Sequence, residues 1–377
     1  MTSSKAQSNV RPVILVAIDW YLPAYRAGGP IRSLANLVSA LGDSVDFRIV
    51  CGDKDLGDSH PVQAPIGQWE PIGLAQVLRL PPSEWTQIRW QALIQEIQPD
   101  KLYLNSLYSG PFSRLPWRVA KSMSLATTLA PRGMLGAGAL AIKPLRKKAW
   151  LWVQRMTGRY ANLTWHASTE QEAQEIRHWF PNASVQVALN LPLPFDPVPA
   201  HPHCDHVHLL SVGRVHPIKN HRFGLALAQR MVQQGKPVTY RIVGPLEDKA
   251  EVERLLANAG DVTLELIGPT PPEDMSQHYA WSHLVLVPSL NENFGHAVAE
   301  GISTARPVVV SDQTAWFNLD SGPSVHCLPL DADAWLSSAN TLLAMPHSDC
   351  VAHSEATHGR CLLDERHLAN QRALFAP

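Results

Sequence analysis

The feature that most constrains the fold is an alternation repeated along the chain. Short, β-branched apolar runs are each followed by a segment with helical spacing of apolar residues. VILVAI at 13–18 ends in Asp19 before a loop, as a buried parallel strand does. Gly28 and Gly29 then precede Pro30, a favourable first helical residue, and Ile31, Leu34, Leu37, Val38 and Leu41 recur on one helical face. Strand-like runs return at 45–50, 101–105, 124–130 and 163–167, the last leading into a helix whose start, Ser168-Thr169-Glu170-Gln171, fits a capping box. Strands separated by helices imply a parallel sheet covered on both faces, so the chain is predicted to be α/β.

The segment LPLPFDPVPAHP at 191–202 carries five prolines, which suit neither a helix nor a central strand. Beyond it the rhythm restarts, with strands at 207–213, 238–244, 262–268, 284–289 and 307–311 and helices from about 221, 247 and 296. The expected organisation is an N-terminal domain over 1–190, a linker over 191–206 and a second domain over 207–377, its last helix returning to the first. A length of 377 residues suits two doubly wound, Rossmann-like domains facing a central cleft. With 45% hydrophobic and 17% charged residues, the composition is that of a globular chain and excludes a disordered or collagenous one.

Two segments carry recognisable chemistry. SVGRVHPIKN at 211–220 is a strand ending in Gly213, followed by Arg214 and Lys219. Ligands of open parallel sheets bind beyond the carboxyl ends of the strands. An arginine fork and a lysine point charge there suit a phosphate or diphosphate. In VPSLNENFGHAVAEG at 287–301, Glu292 precedes Asn293-Phe294-Gly295 and a helix start, and Glu300 follows eight residues after Glu292. The helix start favours an anion, while two carboxylates beside a diphosphate are suited to accepting hydrogen bonds from sugar hydroxyls.

In combination these segments resemble the retaining glycosyltransferases of family 4, a nucleotide-sugar-dependent family with the GT-B fold. The G-R-x-x-x-x-K loop of that family corresponds to Gly213, Arg214 and Lys219, and its E-x-F-G-x-x-x-x-E signature to Glu292, Phe294, Gly295 and Glu300. The resemblance implies that Glu292 contacts hydroxyls of the donor sugar, that Glu300 contacts the ribose, and that the Gly28-Gly29 turn approaches the diphosphate. It also implies that Arg214 and Lys219 stabilise the leaving phosphate without a metal or other cofactor, and that the anomeric configuration is retained. Two stretches depart from the family. LAPRGMLG at 129–136 stands where many members carry a histidine, and Arg132 is the expected cleft-facing residue there; SDQTAWFNL at 311–319 replaces a glycine-rich turn.

The remaining features concern partners. HPHCDHVH at 201–208 is read as a polar linker rather than a metal site, and five widely spaced cysteines without a CxxC pair suit reduced thiols. From Lys101 to Thr169 there are eleven basic side chains and no Asp or Glu; removing those eleven from the total of 32 leaves 21 basic residues against 33 acidic ones. The net charge of −1 therefore hides a polarised molecule. The basic, tryptophan-bearing stretch 143–159 suits an anionic membrane surface. The expected partners are a UDP- or GDP-sugar donor and a glycan or lipid-linked acceptor in bacterial surface polysaccharide synthesis, with no nucleic acid. The polar start without an apolar leader points to the cytoplasm, with peripheral contact on the inner membrane face. A GT-B nucleotide-sugar 2-epimerase and a non-catalytic glycan- or nucleotide-sugar-binding subunit remain open. A dehydrogenase is disfavoured because no GxGxxG follows the first strand.

Overall fold

The computed structural model describes residues 11–141, 143–192, 196–200, 206–314, 316, 322–357 and 365–376. Two largely parallel sheets, each flanked by helices, form the two halves. The N-terminal sheet contains β1 (Val13–Ala17), β2 (Asp46–Gly52), β3 (Trp69–Ile72), β4 (Ala75–Leu80), β5 (Lys101–Leu104), β6 (Thr127–Leu129), β7 (Thr164–Ala167) and β8 (Ser184–Val187). Their order is β3-β4-β2-β1-β5-β6-β7-β8. β1 is flanked in parallel by β2 and β5, and the antiparallel β3–β4 pair closes one edge. The C-terminal sheet contains β9 (Val207–Val212), β10 (Val238–Val243), β11 (Thr263–Gly268), β12 (Leu284–Val287), β13 (Val308–Ser311) and β14 (Val325–Leu328), in the order β11-β10-β9-β12-β13-β14. β9 lies centrally, next to both β10 and β12. In each sheet the first strand is central, so the loops that follow β1 and β9 open where the strand order reverses.

The central strands are those visible as apolar runs, since a strand covered on both faces buries every side chain. β3, β4, β8 and β14 lie in segments not read as strands. β4 carries Gln76 and Arg79 among its apolar residues; the fully buried Arg79 donates to Glu70 at 2.6 Å and to the Leu22 carbonyl at 2.7 Å. The capping box is one residue later than the sequence suggests. Thr169 is the cap, accepting from the Glu172 amide at 3.1 Å, and Glu172 reaches back to the Ser168 amide at 2.7 Å.

The proline-rich segment is tied to both halves. Asn36 donates to the Leu191 carbonyl at 2.8 Å, whereas Arg306 holds the Pro199 carbonyl at 2.7 Å and the Val198 amide bonds the Thr304 carbonyl. At the other end of the chain, the helix Glu365–Ala373 delivers Leu374 and Phe375 into the N-terminal core. The Phe375 ring meets Phe47 and Tyr103 edge-on at 5.6 and 5.3 Å, and Lys101 binds the Leu374 and Ala376 carbonyls. Phe375→Ala is expected to cost about 3–5 kcal/mol, as emptied aromatic core sites do. Urea unfolding measures it; a cost under ~1 kcal/mol would show that the C-terminal segment does not fasten this core.

Candidate active site

The cleft wall on the C-terminal side is built from the loop after β9. Lys219 closes a short turn, and its aliphatic stem crosses Gly213, where an added β-carbon would lie 3.2 Å from Lys219 Cε. Glycine at that position therefore lets the lysine fold back over the strand end. The buried His221 supports the same loop, with its Nε2 3.2 Å from the Arg214 carbonyl oxygen; burial pushes its imidazole down to about 4. Lys219 forms an ion pair with Glu292, which also accepts from Ser289 at 3.2 Å. Arg214 is half exposed and pairs with Glu247 at 3.0 Å, so the structure does not bring it into the Lys219–Glu292 pair.

Gly295 sits at φ 78°, in the left-handed region glycine favours, and starts the helix His296–Ser303. The divergent stretch after β13 explains the tightness of this turn. Buried Trp316 donates from Nε1 to the Phe294 carbonyl at 2.6 Å, and a β-carbon on Gly295 would come within 3.0 Å of that nitrogen. One turn into the helix, Glu300 is 3% exposed and accepts from Tyr279 at 2.7 Å. Its other carboxylate oxygen pairs with Arg32, which reaches across from the helix Gly29–Leu41 of the N-terminal half.

Three further contacts join the halves. His296 Nε2 lies 2.9 Å from Ser33 Oγ, Ser168 donates to Asn293 Oδ1 at 2.9 Å, and an added β-carbon on Gly133 would touch the Asn293 side chain at 3.3 Å. Burial and the surrounding cations Arg32, Arg132 and Lys219 hold His296 far below the usual imidazole range, hence neutral. Gly28 sits at φ 69°, and a β-carbon on Gly28 or on Gly29 would meet nothing within 4 Å, so open space adjoins the backbone at the start of the helix that carries Arg32 and Ser33.

Arg132 is half-buried and fully engaged within its own half. It donates to Asn190 at 2.6 Å, to Asn105 at 2.8 Å and to the Tyr103 hydroxyl at 2.9 Å. Tyr103 in turn donates to His166 Nδ1 at 2.6 Å, because His166 Nε2 must carry the proton that faces the Ala188 carbonyl at 2.8 Å. The adjoining loop is anchored by buried Glu172, which accepts from Gly133 N at 2.6 Å and from Ser168.

Sequence reasoning missed Arg32, Ser33, Tyr279, His296 and Glu172. Only the last had a signal, its place three residues into a capped helix. Among the described residues no group of three His, Cys, Asp or Glu is placed to hold a metal ion; most of 201–208 lies outside them.

Comparison with known proteins bears on the fold. The fold is GT-B. Over 97% of the chain it superposes on sucrose-phosphate synthase from Thermosynechococcus elongatus, with TM-score 0.66, 16% identity and 95% of that chain covered. It likewise superposes on the UDP-forming α,α-trehalose-phosphate synthase from Burkholderia xenovorans in complex with glucose-6-phosphate (TM-score 0.64, 11% identity, 97% of this chain and all of that one). Residues 206–345 match the family described as glycosyl transferases group 1. Two D-inositol 3-phosphate glycosyltransferases are similar over shorter stretches. That of Geodermatophilus obscurus is 32% identical over 117 residues, 28% of this chain, and that of Corynebacterium kroppenstedtii 30% identical over 108 residues, 26% of this chain. These matches span about a quarter of the length of those relatives, 26% and 24%.

At the edge of the cleft Glu175 is pushed up to about 7 from the ordinary 4.5, by burial and by the neighbouring Glu172, against a weak bond from Gln171. A carboxyl raised on folding stabilises the protein below its unfolded value and loses that contribution as pH rises through the folded value. Wild type should therefore lose stability between about pH 4.5 and 7 relative to Glu175→Gln, the gap levelling off above that window. Urea midpoints across pH measure this. Parallel profiles for the two proteins would contradict the assigned environment.

Proposed function

We propose that the chain is a retaining glycosyltransferase that moves a hexose-type sugar from a UDP- or GDP-sugar to a hydroxyl of a glycan or lipid-linked acceptor, in the synthesis of a bacterial surface polysaccharide. The observation that carries this reading is the pairing of Lys219 with Glu292 and of Arg32 with Glu300 in one cleft. Cations suited to a diphosphate thus stand beside carboxylates suited to sugar and ribose hydroxyls. The group 1 match over 206–345, which contains Arg214, Lys219, Glu292 and Glu300, supports it.

Cleaving the bond between the anomeric carbon and the diphosphate builds negative charge on the leaving oxygen. In this reading Lys219, Arg32 and the amides of the Phe294-Gly295 turn stabilise that charge as fixed electrostatics, and Arg214 joins them by leaving Glu247. These groups supply the positive charge without calling on a metal. Glu292 and Asn293 hold the sugar, and Glu300 the ribose. The leaving phosphate takes the proton of the acceptor hydroxyl, which attacks from the face the phosphate departs. Lys219→Ala and Glu292→Ala are each expected to lower transfer by ~10²–10³. Product formation from UDP- and GDP-sugars measures this, and a rate near wild type in either variant would refute the assignment.

The same reading places the protein at an anionic membrane face. Trp150 packs on Tyr108 at 5.3 Å, but Leu145, Trp152 and Met156 are 86%, 60% and 66% exposed and, with exposed Ala149, line one face of the helix Pro144–Met156. Exposed Arg146, Lys148 and Arg155 flank that stripe. An apolar stripe bordered by cations is the pattern of an interfacial helix. No helix among the described residues is long and apolar enough to cross a membrane. Co-sedimentation with phosphatidylglycerol vesicles is expected, and should fall at least tenfold when Arg146, Lys148 and Arg155 are all replaced by glutamate; equal binding of both proteins would refute the contact.

A further inference from the structure

Two cavities adjoin along the cleft, the first between the two halves and the second within the N-terminal half. The first, about 520 Å³, is walled on the C-terminal side by Ile218 and Asn291, the residues immediately before Lys219 and Glu292, and on the other side by Gln171 and Glu175. The second, about 580 Å³, lies between the helices Pro144–Met156 and Glu170–Trp179, over Leu135, Leu140 and Trp179. Ala141 and Glu175 border both, so the two form one groove leading from beside the Lys219–Glu292 pair to the flank of the basic helix.

The wall of the first cavity depends on two missing side chains. A β-carbon on Gly136 would lie 3.0 Å from Asn291 Nδ2 and 3.3 Å from the Glu175 carboxyl, and one on Gly138 would lie 2.7 Å from Ile218 Cδ1. Glycine at both positions allows the loop and short helix of one half to close against the other. The chemistry changes along the groove. The first cavity has no lysine or arginine in its lining, while Glu175 and Asp312 would repel an anion, so it does not suit a phosphate. Its amides and carboxyls suit neutral hydroxyls. The second cavity offers an apolar floor, with Lys148 at its border.

We propose that this groove binds the acceptor, an amphiphilic saccharide whose hydroxylated head lies against Gln171, Glu175 and Asn291 and whose apolar aglycone lies on Leu140 and Trp179. The proposal rests on the transferase reading for the role of the bound hydroxyl. The elevated Glu175 carboxyl fits that task, since near neutral pH its two forms together offer a donor and an acceptor to sugar hydroxyls.

Saturation-transfer NMR with monomeric n-octyl β-D-glucoside, galactoside and mannoside, and with their methyl counterparts, tests this on the full chain. At least one octyl glycoside should show transfer to both ring and alkyl protons and bind at least tenfold more tightly than its methyl counterpart. Ala141→Trp, at the junction, should abolish both sets of signals while leaving UDP and GDP binding unchanged. Gln174→Trp, an exposed position bordering the second cavity, provides a second obstruction and should weaken the alkyl contact first. The proposal is overturned if no octyl glycoside binds, if methyl and octyl glycosides bind alike, or if neither tryptophan variant weakens binding. Failure of the transferase reading is read separately, as loss of all nucleotide binding with glycoside binding intact.

Discussion

The carboxylate of Glu300 holds the molecule's two halves and its chemistry together. Removed from water, it is satisfied by Tyr279 of its own half and by Arg32 of the other. A buried charge is tolerable only when paired, and stranding one partner of such a pair typically costs about 3–5 kcal/mol. The contact between the halves and the pairing of charges in the cleft therefore rest on the same carboxylate. The contacts of Ser33 with His296 and of Ser168 with Asn293 lie along the same seam and fix the turn that carries Phe294 and Gly295.

A second consequence concerns how the cleft keeps its charge. Lys219 is balanced by Glu292 and Arg32 by Glu300, so the cations stand beside carboxylates rather than bare. Under the proposed function, an entering diphosphate exchanges partners with them rather than meeting an unbalanced positive site, and its hydroxyl-bearing portions take over the carboxylates. Neutral His296, surrounded by three cations, keeps a fourth positive charge out of the same space. The groove proposed for the acceptor, next to this cluster, has no lysine or arginine lining its inner cavity, so under that proposal the anionic and the neutral substrate meet different charge.

Much of this was legible in the residues, and the reasons are specific. β12 and β13 are buried along their whole length and appear as apolar runs, and β9 and β10 keep enough buried apolar residues to be read as strands; β3, β4, β8 and β14 lie toward the sheet edges and mix polar with apolar residues. Lys219, Glu292 and Glu300 could be read because loops after parallel strands converge at one end of a sheet. Arg32 and Tyr279 could not, since their meeting with Glu300 depends on how two domains face each other and neither sits in a distinctive pattern. Arg132 was read as facing the cleft; it neighbours His296, but its guanidinium is spent on Asn105, Asn190 and Tyr103. Trp316 lay in the stretch that departs from the expected glycine-rich turn, and only the fold reveals that its indole clamps the Phe294 carbonyl.

The paired charges of the cleft are proposed as a site for a nucleoside diphosphate. Calorimetric titration of the wild-type chain with UDP and with GDP, at low and at high salt, tests it most directly. Saturable binding of at least one of the two is expected, weakening as salt screens the contacts with Lys219 and Arg32. Absence of saturable heat with both nucleotides up to millimolar concentration, or an affinity indifferent to salt, would contradict it.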